Sequence, residues 1–168
     1  MFAEGLGDNA TLSRIASLSF AISLFFEGWV GYLAQKRNDT NGQRLYAIYS
    51  GGDDLFFVGA WDEIVEFAQE IHRDLKEYVA HHPGIHISVG IALVNDKYPL
   101  AKAAQNAAHA EEQAKNFEWW DDAKKDYMKK NVISFLNQPL SWDTFENASA
   151  LMNELATLDD NNRTSVIR

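Results

Sequence analysis

The sequence predicts an α/β (α+β) fold in which helices pack on an antiparallel-containing sheet. Two long segments carry apolar residues at helical spacing, and two short apolar runs flank a glycine-containing turn. An alanine-rich segment also follows a β-branched strand. The order helix, strand, strand, helix, strand, helix therefore defines the fold class. At 168 residues and 46% hydrophobic composition, the chain can form one good core, or one core with an appendage.

The first helix is predicted from about Leu12 to Gln35, with Asn9 or Thr11 as its N-cap. Residues 38–42 (NDTNG) are typical of a loop and are expected to follow this helix. The apolar positions that set the helical period are Leu12, Ile15, Leu18, Ile22, Phe25, Phe26, Trp29 and Leu33.

A β-hairpin is predicted next, with strands at about 44–49 and 55–58 on either side of the turn 50–54 (SGGDD). Its apolar residues are expected to be buried in the sheet, so that the turn is anchored in the core. They are Tyr46, Ile48, Tyr49, Leu55, Phe56 and Phe57.

Three further elements complete the predicted core. Residues 61–79 have one apolar helical face, and residues 85–94 are apolar and β-branched, as in a strand. Pro99 occupies the favoured first position of a helix that continues over 101–115. Because this helix is rich in alanine, we expect it to pack closely on the sheet.

The remaining sequence is divided by its composition. Residues 1–116 form the first predicted domain, and the mixed-charge segment 117–130 is interpreted as a connector. Trp119 and Trp120 are expected to pack onto a neighbouring domain. Residues 131–168 begin a C-terminal helical region, in which 131–140 form a strand or turn and Ser141 caps a helix through about Leu158.

Composition excludes several classes of function. With 24 acidic against 15 basic residues, a formal net charge of -9 argues against a large nonspecific nucleic-acid surface. There is no cysteine, which excludes disulfides and thiolate zinc sites. The apolar run 15–26 is too short to cross a bilayer. We therefore expect a cytoplasmic protein without a membrane partner.

Asp53 and Asp54 form the candidate chemical site. Adjacent carboxylates at a turn supply hard oxygen ligands for a divalent cation, and Gly51 and Gly52 leave room for a triphosphate. The same residues also populate ordinary hairpin turns, in which the acids are simply solvated. The turn alone leaves both interpretations open.

Eight short segments form a combination that is more specific than any one motif. They are 11–14 (TLSR), 18–19 (LS), 25–26 (FF), 49–59 (YSGGDDLFFVG), 88–92 (SVGIA), 107–115 (AAHAEEQAK), 133–136 (ISFL) and 140–142 (LSW). Together these segments resemble the second palm of the large subunit of type III-A CRISPR effector complexes. The resemblance predicts a ferredoxin-like palm, or nucleotide-cyclase fold, that lacks its first strand and leads into a C-terminal helical domain.

The resemblance implies an enzyme of antiviral defence that converts ATP into cyclic oligoadenylates with Mg²⁺ or Mn²⁺. It makes Asp53 and Asp54 the metal-binding and catalytic acids and places Gly51 and Gly52 along the phosphates. Lys115 is implied to neutralise a phosphate. The weaker candidates for base or phosphate contacts are Ser13, Arg14 and Ser17. The implied partners are ATP, another palm domain, other subunits of an RNA-guided complex and, indirectly, guide and target RNA.

Two alternatives stay open. A diguanylate cyclase is a less suitable match, because that family prefers Phe where this chain has Leu55 and carries an upstream Arg-x-x-Asp that is missing here. A noncatalytic palm, retained to assemble with a sister palm, is the other. The family also has an upstream strand with a further metal-ligating acid, and this chain begins after it. We therefore expect a fragment that is inactive alone.

Overall fold

The computed structural model describes residues 11–122 and 125–165, with side chains up to residue 157. Its mixed helix and strand content confirms the predicted fold class. In chain order the elements are α1 (Leu12–Ser23), a π-helical segment (Leu24–Trp29), α2 (Val30–Asn41), β1 (Leu45–Gly51), β2 (Asp54–Gly59), α3 (Trp61–Tyr78), β3 (Val89–Ile91), α4 (Leu100–Asn116), β4 (Glu118–Asp121), β5 (Asp126–Lys129), β6 (Val132–Phe135), β7 (Gln138–Ser141) and α5 (Trp142–Ser165).

The chain divides into two compact units. The first comprises Met1–Ile87 with Leu93–Gln105, and the second comprises Ser88–Ala92 with Asn106–Arg168. This division does not follow the boundary predicted at residue 116, so the predicted domain limits stay a prediction.

In the first unit, one helical run extends from Leu12 to Asn41. Thr11 is its N-cap, because its hydroxyl accepts a hydrogen bond from the Arg14 amide at 3.4 Å. The alternative cap Asn9 lies outside the described residues. The loop predicted from residue 38 is wrong: residues 38–41 are helical, and the helix ends at Asn41, followed by the C-cap Gly42 with φ +82°.

The Asn38 side chain explains that difference. Its Oδ1 accepts hydrogen bonds from the backbone amides of Arg44 (3.0 Å) and Leu45 (2.9 Å), and its Nδ2 donates to the Leu45 carbonyl at 2.8 Å. Asn38 therefore remains in the helix and joins it to the start of β1. Its residue type suggested a turn, but its amide serves a tertiary contact.

The core of the first unit lies between the helical run, α3 and one face of the hairpin. By length and composition, the run Leu12–Asn41 could also cross a membrane. One face of this run supplies much of the core, whereas Leu12, Phe20 and Leu24 on the same run are exposed. The buried residues are Ile22, Phe25, Phe26, Val30, Leu33, Ala34, Leu45, Phe67, Ile71 and Leu75.

Three residues of β1 that were predicted to be buried are half-exposed. Tyr46, Ile48 and Tyr49 keep 54%, 49% and 56% of their surface accessible. The helices cover only one face of this two-stranded hairpin, and residues alternate between faces along a strand. Leu45 and Ser50 lie on the covered face, whereas Tyr46 and Tyr49 lie on the other. A register shift between residues 47 and 49 lets both tyrosines share that outer face.

The second unit contains a three-stranded sheet in which β3 pairs with β6 in parallel and β6 pairs with β7 antiparallel. Only Val89–Ile91 of the strand predicted over 85–94 forms. A Cβ at Gly90 would lie 2.1 Å from the Glu111 nitrogen and 2.4 Å from the Ala107 oxygen. The backbone of α4 therefore packs directly on β3, which confirms the close packing expected of its small residues.

The segment predicted as a connector forms the antiparallel hairpin β4–β5. Trp119 donates its indole N–H to the Lys130 carbonyl at 3.1 Å. Trp120 makes an edge-on contact with Tyr127 at a ring separation of 5.2 Å and is half-exposed. Ser141 caps the last helix, since its hydroxyl accepts from the Thr144 amide at 3.3 Å. That helix continues to residue 165, beyond its predicted end.

Candidate nucleotide and metal site at the glycine hairpin

The Gly-Gly-Asp-Asp sequence forms a tight turn between β1 and β2. Gly51 and Asp54 are the last paired residues, so Gly52 and Asp53 make the two-residue connection. Gly52 has φ +64°, whereas Asp53 is not among the residues with positive φ. Glycine at the first central position is the pattern of a type II′ turn, whose twist matches that of the flanking strands. This local chemistry is why the sequence predicted the hairpin correctly.

Both carboxylates of the turn are exposed. Asp53 lies on the turn itself, and Asp54 begins β2 on the face opposite the core-facing Leu55. Within the part of the chain that the structure describes, neither carboxylate makes a hydrogen bond or an ion pair. Two adjacent, uncommitted oxygen donors fit the ligand preference of Mg²⁺ or Mn²⁺.

The surroundings of the two glycines differ. A Cβ at Gly52 would meet no atom within 4 Å, whereas a Cβ at Gly51 would lie 3.0 Å from the Tyr49 hydroxyl oxygen. Open space therefore lies beside Gly52. A bulky anion can approach the turn on that side without steric conflict.

Two contacts join this turn to the π-helical segment, and neither was predicted. The Ser50 hydroxyl donates to the Phe26 carbonyl at 2.9 Å, and the Gly52 amide donates to the Glu27 carboxylate at 3.3 Å. One signal in the sequence marks Glu27: it is the only charged residue between Arg14 and Lys36.

The other predicted binding residues lie elsewhere. Ser13, Arg14 and Ser17 are exposed on α1. At 1.5 Å per residue, they are about 15–20 Å along the helix axis from Glu27, which is the helical side chain that contacts the turn. The structure thus does not bring them to the turn, and their roles stay predictions.

Lys115 lies near the end of α4 and has a partner in its own helix. Its ammonium group pairs with the Glu111 carboxylate at 2.6 Å, and its side chain is half-exposed. An exposed pair one helical turn apart contributes little to stability, so Lys115 can exchange this partner for a phosphate at small cost.

No cluster of three or more His, Cys, Asp or Glu side chains suited to a metal ion occurs among residues 11–122 and 125–165. The turn therefore offers two carboxylates at most. Waters and substrate phosphates would have to complete an octahedral Mg²⁺ shell, as they commonly do.

A separate charge cluster joins α2 to α3. Arg37 of α2 forms ion pairs with Glu63, Glu66 and Glu70 of α3. Burial lowers the pKa of Arg37, but its hydrogen bonds to the three glutamates outweigh burial, and the net pKa is raised. Every acid in this cluster is committed to the arginine, so the cluster has a structural role.

Arg44, immediately before β1, contributes a second ion pair. Its guanidinium donates to both Asp62 carboxylate oxygens, at 2.6 and 2.7 Å. This hydrogen bond lowers the pKa of Asp62 and raises the pKa of Arg44. The pair joins the first strand of the hairpin to the first turn of α3.

A glycine-turn hairpin that presents two uncommitted carboxylates and packs on long helices defines a palm-type α/β domain. A sequence model described as "Cas10/Cmr2, second palm domain" matches residues 1–128, and the chain belongs to this family. The CRISPR system single-strand-specific deoxyribonuclease Cas10/Csm1 (subtype III-A) of Methanocaldococcus jannaschii is 36% identical over 151 residues. That match covers 85% of this chain but only 19% of the relative, so the chain spans about a fifth of its length.

Solved structures share the fold. A Csm1–Csm4 cassette in complex with one ATP matches with a TM-score of 0.63 and 22% identity, covering 80% of this chain and 20% of that one. A Csm1–Csm4 cassette in complex with cA3 matches with a TM-score of 0.64 and 21% identity, over the same shares. The predicted family and palm fold are thus confirmed.

Proposed function

We propose that this chain is the palm in which a type III-A effector subunit converts ATP into cyclic oligoadenylates, with Mg²⁺ or Mn²⁺, in cytoplasmic antiviral defence. The observation that carries the proposal is the pair of uncommitted carboxylates, Asp53 and Asp54, beside an open glycine turn. Solved relatives with the same fold were crystallised with ATP and with cA3, which supports an adenine nucleotide as the substrate.

The residues of the turn have distinct roles in this proposal. Asp53 and Asp54 hold the divalent ion, and the open side of Gly52 receives the triphosphate. The ion supplies charge neutralisation at the phosphates and activation of the attacking 3′-hydroxyl. Lys115 exchanges Glu111 for a phosphate, and Ser13, Arg14 and Ser17 contact base or phosphate.

The proposed partners follow from the family. A second palm domain and the other subunits of an RNA-guided complex would complete the assembly, as the Csm1–Csm4 cassettes suggest. Guide and target RNA would act on the palm indirectly, through that complex. The negative net charge of -9 agrees with RNA being bound elsewhere.

Calorimetric titration of the purified chain tests this function. We expect ATP to bind in the presence of Mn²⁺, GTP to bind more weakly, and the Asp53→Ala/Asp54→Ala double variant to lose binding. Asp39→Ala/Asp96→Ala is the matched control, because it removes two exposed aspartates from α2 and from the loop between β3 and α4. Selectivity for GTP would instead support a diguanylate-cyclase-like enzyme.

The noncatalytic assembly module is a second candidate, favoured by one observation. A groove of about 880 Å³ lies between the π-helical segment and α3, and its lining is mostly apolar and aromatic. Trp29, Tyr32 and Tyr78 line it and are half-exposed. Exposed apolar surface of this kind is typical of protein interfaces. Absence of ATP binding to the wild-type chain and to every variant would favour this candidate.

A further inference from the structure

We infer that Glu27 is a positioning residue that holds the Gly-Gly-Asp-Asp turn in its working geometry, an inference that rests on the proposed function. Its carboxylate accepts the Gly52 amide at 3.3 Å, while the neighbouring Phe26 carbonyl accepts the Ser50 hydroxyl at 2.9 Å. Two consecutive residues of one helix thus hold the hairpin on both sides of Gly51.

The local helix geometry supports this role. Residues 24–29 form a π-helical segment, and the Val30 amide bonds to the Phe25 carbonyl five residues earlier. Phe25 and Phe26 are buried in the core, whereas Glu27 is exposed and reaches the turn. Single π-turns inside α-helices are frequent at functional sites. Here the π-helical segment contains both the buried pair Phe25 and Phe26 and the exposed carboxylate of Glu27 that contacts the turn.

The position of Glu27 also needs an explanation from electrostatics. A third carboxylate beside Asp53 and Asp54 adds like charge to the tip, which costs free energy unless it makes a compensating contact. The compensating contact is the hydrogen bond from the Gly52 amide. Without it, this amide would donate to solvent and the turn could move away from the helix. Because the described residues form no three-acid metal cluster, we assign Glu27 to the turn and not to the metal.

A consequence follows for the nucleotide. While the Gly52 amide donates to Glu27, it cannot also donate to a phosphate oxygen. The triphosphate is then held through the cation on Asp53 and Asp54 and not by the backbone amide of Gly52. Removal of the Glu27 carboxylate frees that amide and loosens the two aspartates together.

The test compares Glu27→Ala with Glu27→Gln, which keeps an acceptor oxygen. For Glu27→Ala we expect amide hydrogen exchange at Gly52, measured by NMR, to accelerate about three- to ten-fold. The affinity for ATP with Mn²⁺, measured by calorimetry, should fall by a similar factor. Glu27→Gln should restore both quantities to within about two-fold, and Asp39→Ala, which removes an exposed carboxylate from α2, should change neither.

The outcomes separate the two proposals. Unchanged exchange at Gly52 in Glu27→Ala would overturn the positioning role. Faster exchange with unaltered ATP affinity would overturn it as well, because the turn would then be held without consequence for the nucleotide. A wild-type chain that binds no ATP would overturn the proposed function itself, and the positioning role with it. A melting temperature within a few degrees of wild type excludes general unfolding as the cause.

Discussion

Gly52 is the residue whose backbone the turn constrains most. Its φ of +64° lies in the left-handed region, and the space around it is open. A side chain there meets no steric obstacle, so any cost of substitution comes from the backbone alone. We expect Gly52→Ala to lower the free energy of unfolding by about 1–2 kcal/mol and Gly52→Asn to lower it less, because asparagine tolerates this conformation.

Urea denaturation measures this difference from the transition midpoint. Gly31→Ala is the matched control: Gly31 lies in α2, where an added Cβ would meet no atom within 4 Å, and alanine should stabilise the helix by about 0.5–1 kcal/mol. If Gly52→Ala were as stable as the wild type, the turn would not have the backbone conformation described above.

The position of the two candidate aspartates at a turn could be predicted from the sequence, whereas the contact between Glu27 and that turn could not. The turn at Asp53 and Asp54 could be predicted because turn chemistry is local, so that neighbouring glycines and flanking apolar runs are sufficient. Glu27 contacts a backbone amide 25 positions away, and no local pattern encodes such a contact. The sequence marked Glu27 only as the one charged residue between Arg14 and Lys36. Asn38 was predicted to lie in a loop for the same reason: its hydrogen-bond partner Leu45 lies on the following strand, β1.

At the scale of elements, the packing of α4 on β3 depends on Gly90. An added Cβ would lie 2.1 Å from the Glu111 nitrogen and 2.7 Å from the Ala110 carbonyl carbon, and backbone atoms cannot move aside singly. We expect Gly90→Ala to destabilise the second unit by about 1–3 kcal/mol, as overpacking does, by displacing the helix from the strand.

Thermal unfolding monitored by circular dichroism measures this loss, and Gly31→Ala again serves as the control for adding a methyl group. Because Lys115 lies on the same helix, a displaced α4 should also weaken any phosphate contact that Lys115 makes. A Gly90→Ala variant with wild-type stability would contradict the close approach of helix and strand.

Elements with long periodic patterns and the hairpin at the glycine turn were predicted well, whereas the strand predicted over 85–94 was not. The helices α1 and α3 present continuous apolar faces, so their positions follow from spacing. The strand predicted over 85–94 shrank to Val89–Ile91, because apolar composition does not fix how much of a segment finds a pairing partner. Tyr46 and Tyr49 are exposed for a related reason: burial of a strand face depends on what covers it.

At the scale of the whole molecule, this chain matches about a fifth of the Cas10/Csm1 relative. The model of the second palm domain matches residues 1–128, and about four fifths of the relative's length lies outside the match. Whether the chain can catalyse alone therefore depends on how many metal ligands this palm supplies and how many nucleotides it binds by itself.

We predict that the purified chain, incubated with ATP and Mn²⁺, yields little cyclic product. Among the described residues, no third acid joins Asp53 and Asp54 in a cluster suited to a metal ion. Water must then fill most of the coordination shell, so the ion and its triphosphate are held with less orientational restraint. Chromatography of the reaction products, with the Asp53→Ala/Asp54→Ala variant as background, measures the yield. Robust synthesis above that background would show that two carboxylates suffice for catalysis, and the further palm proposed as a partner would then be unnecessary for the chemical step.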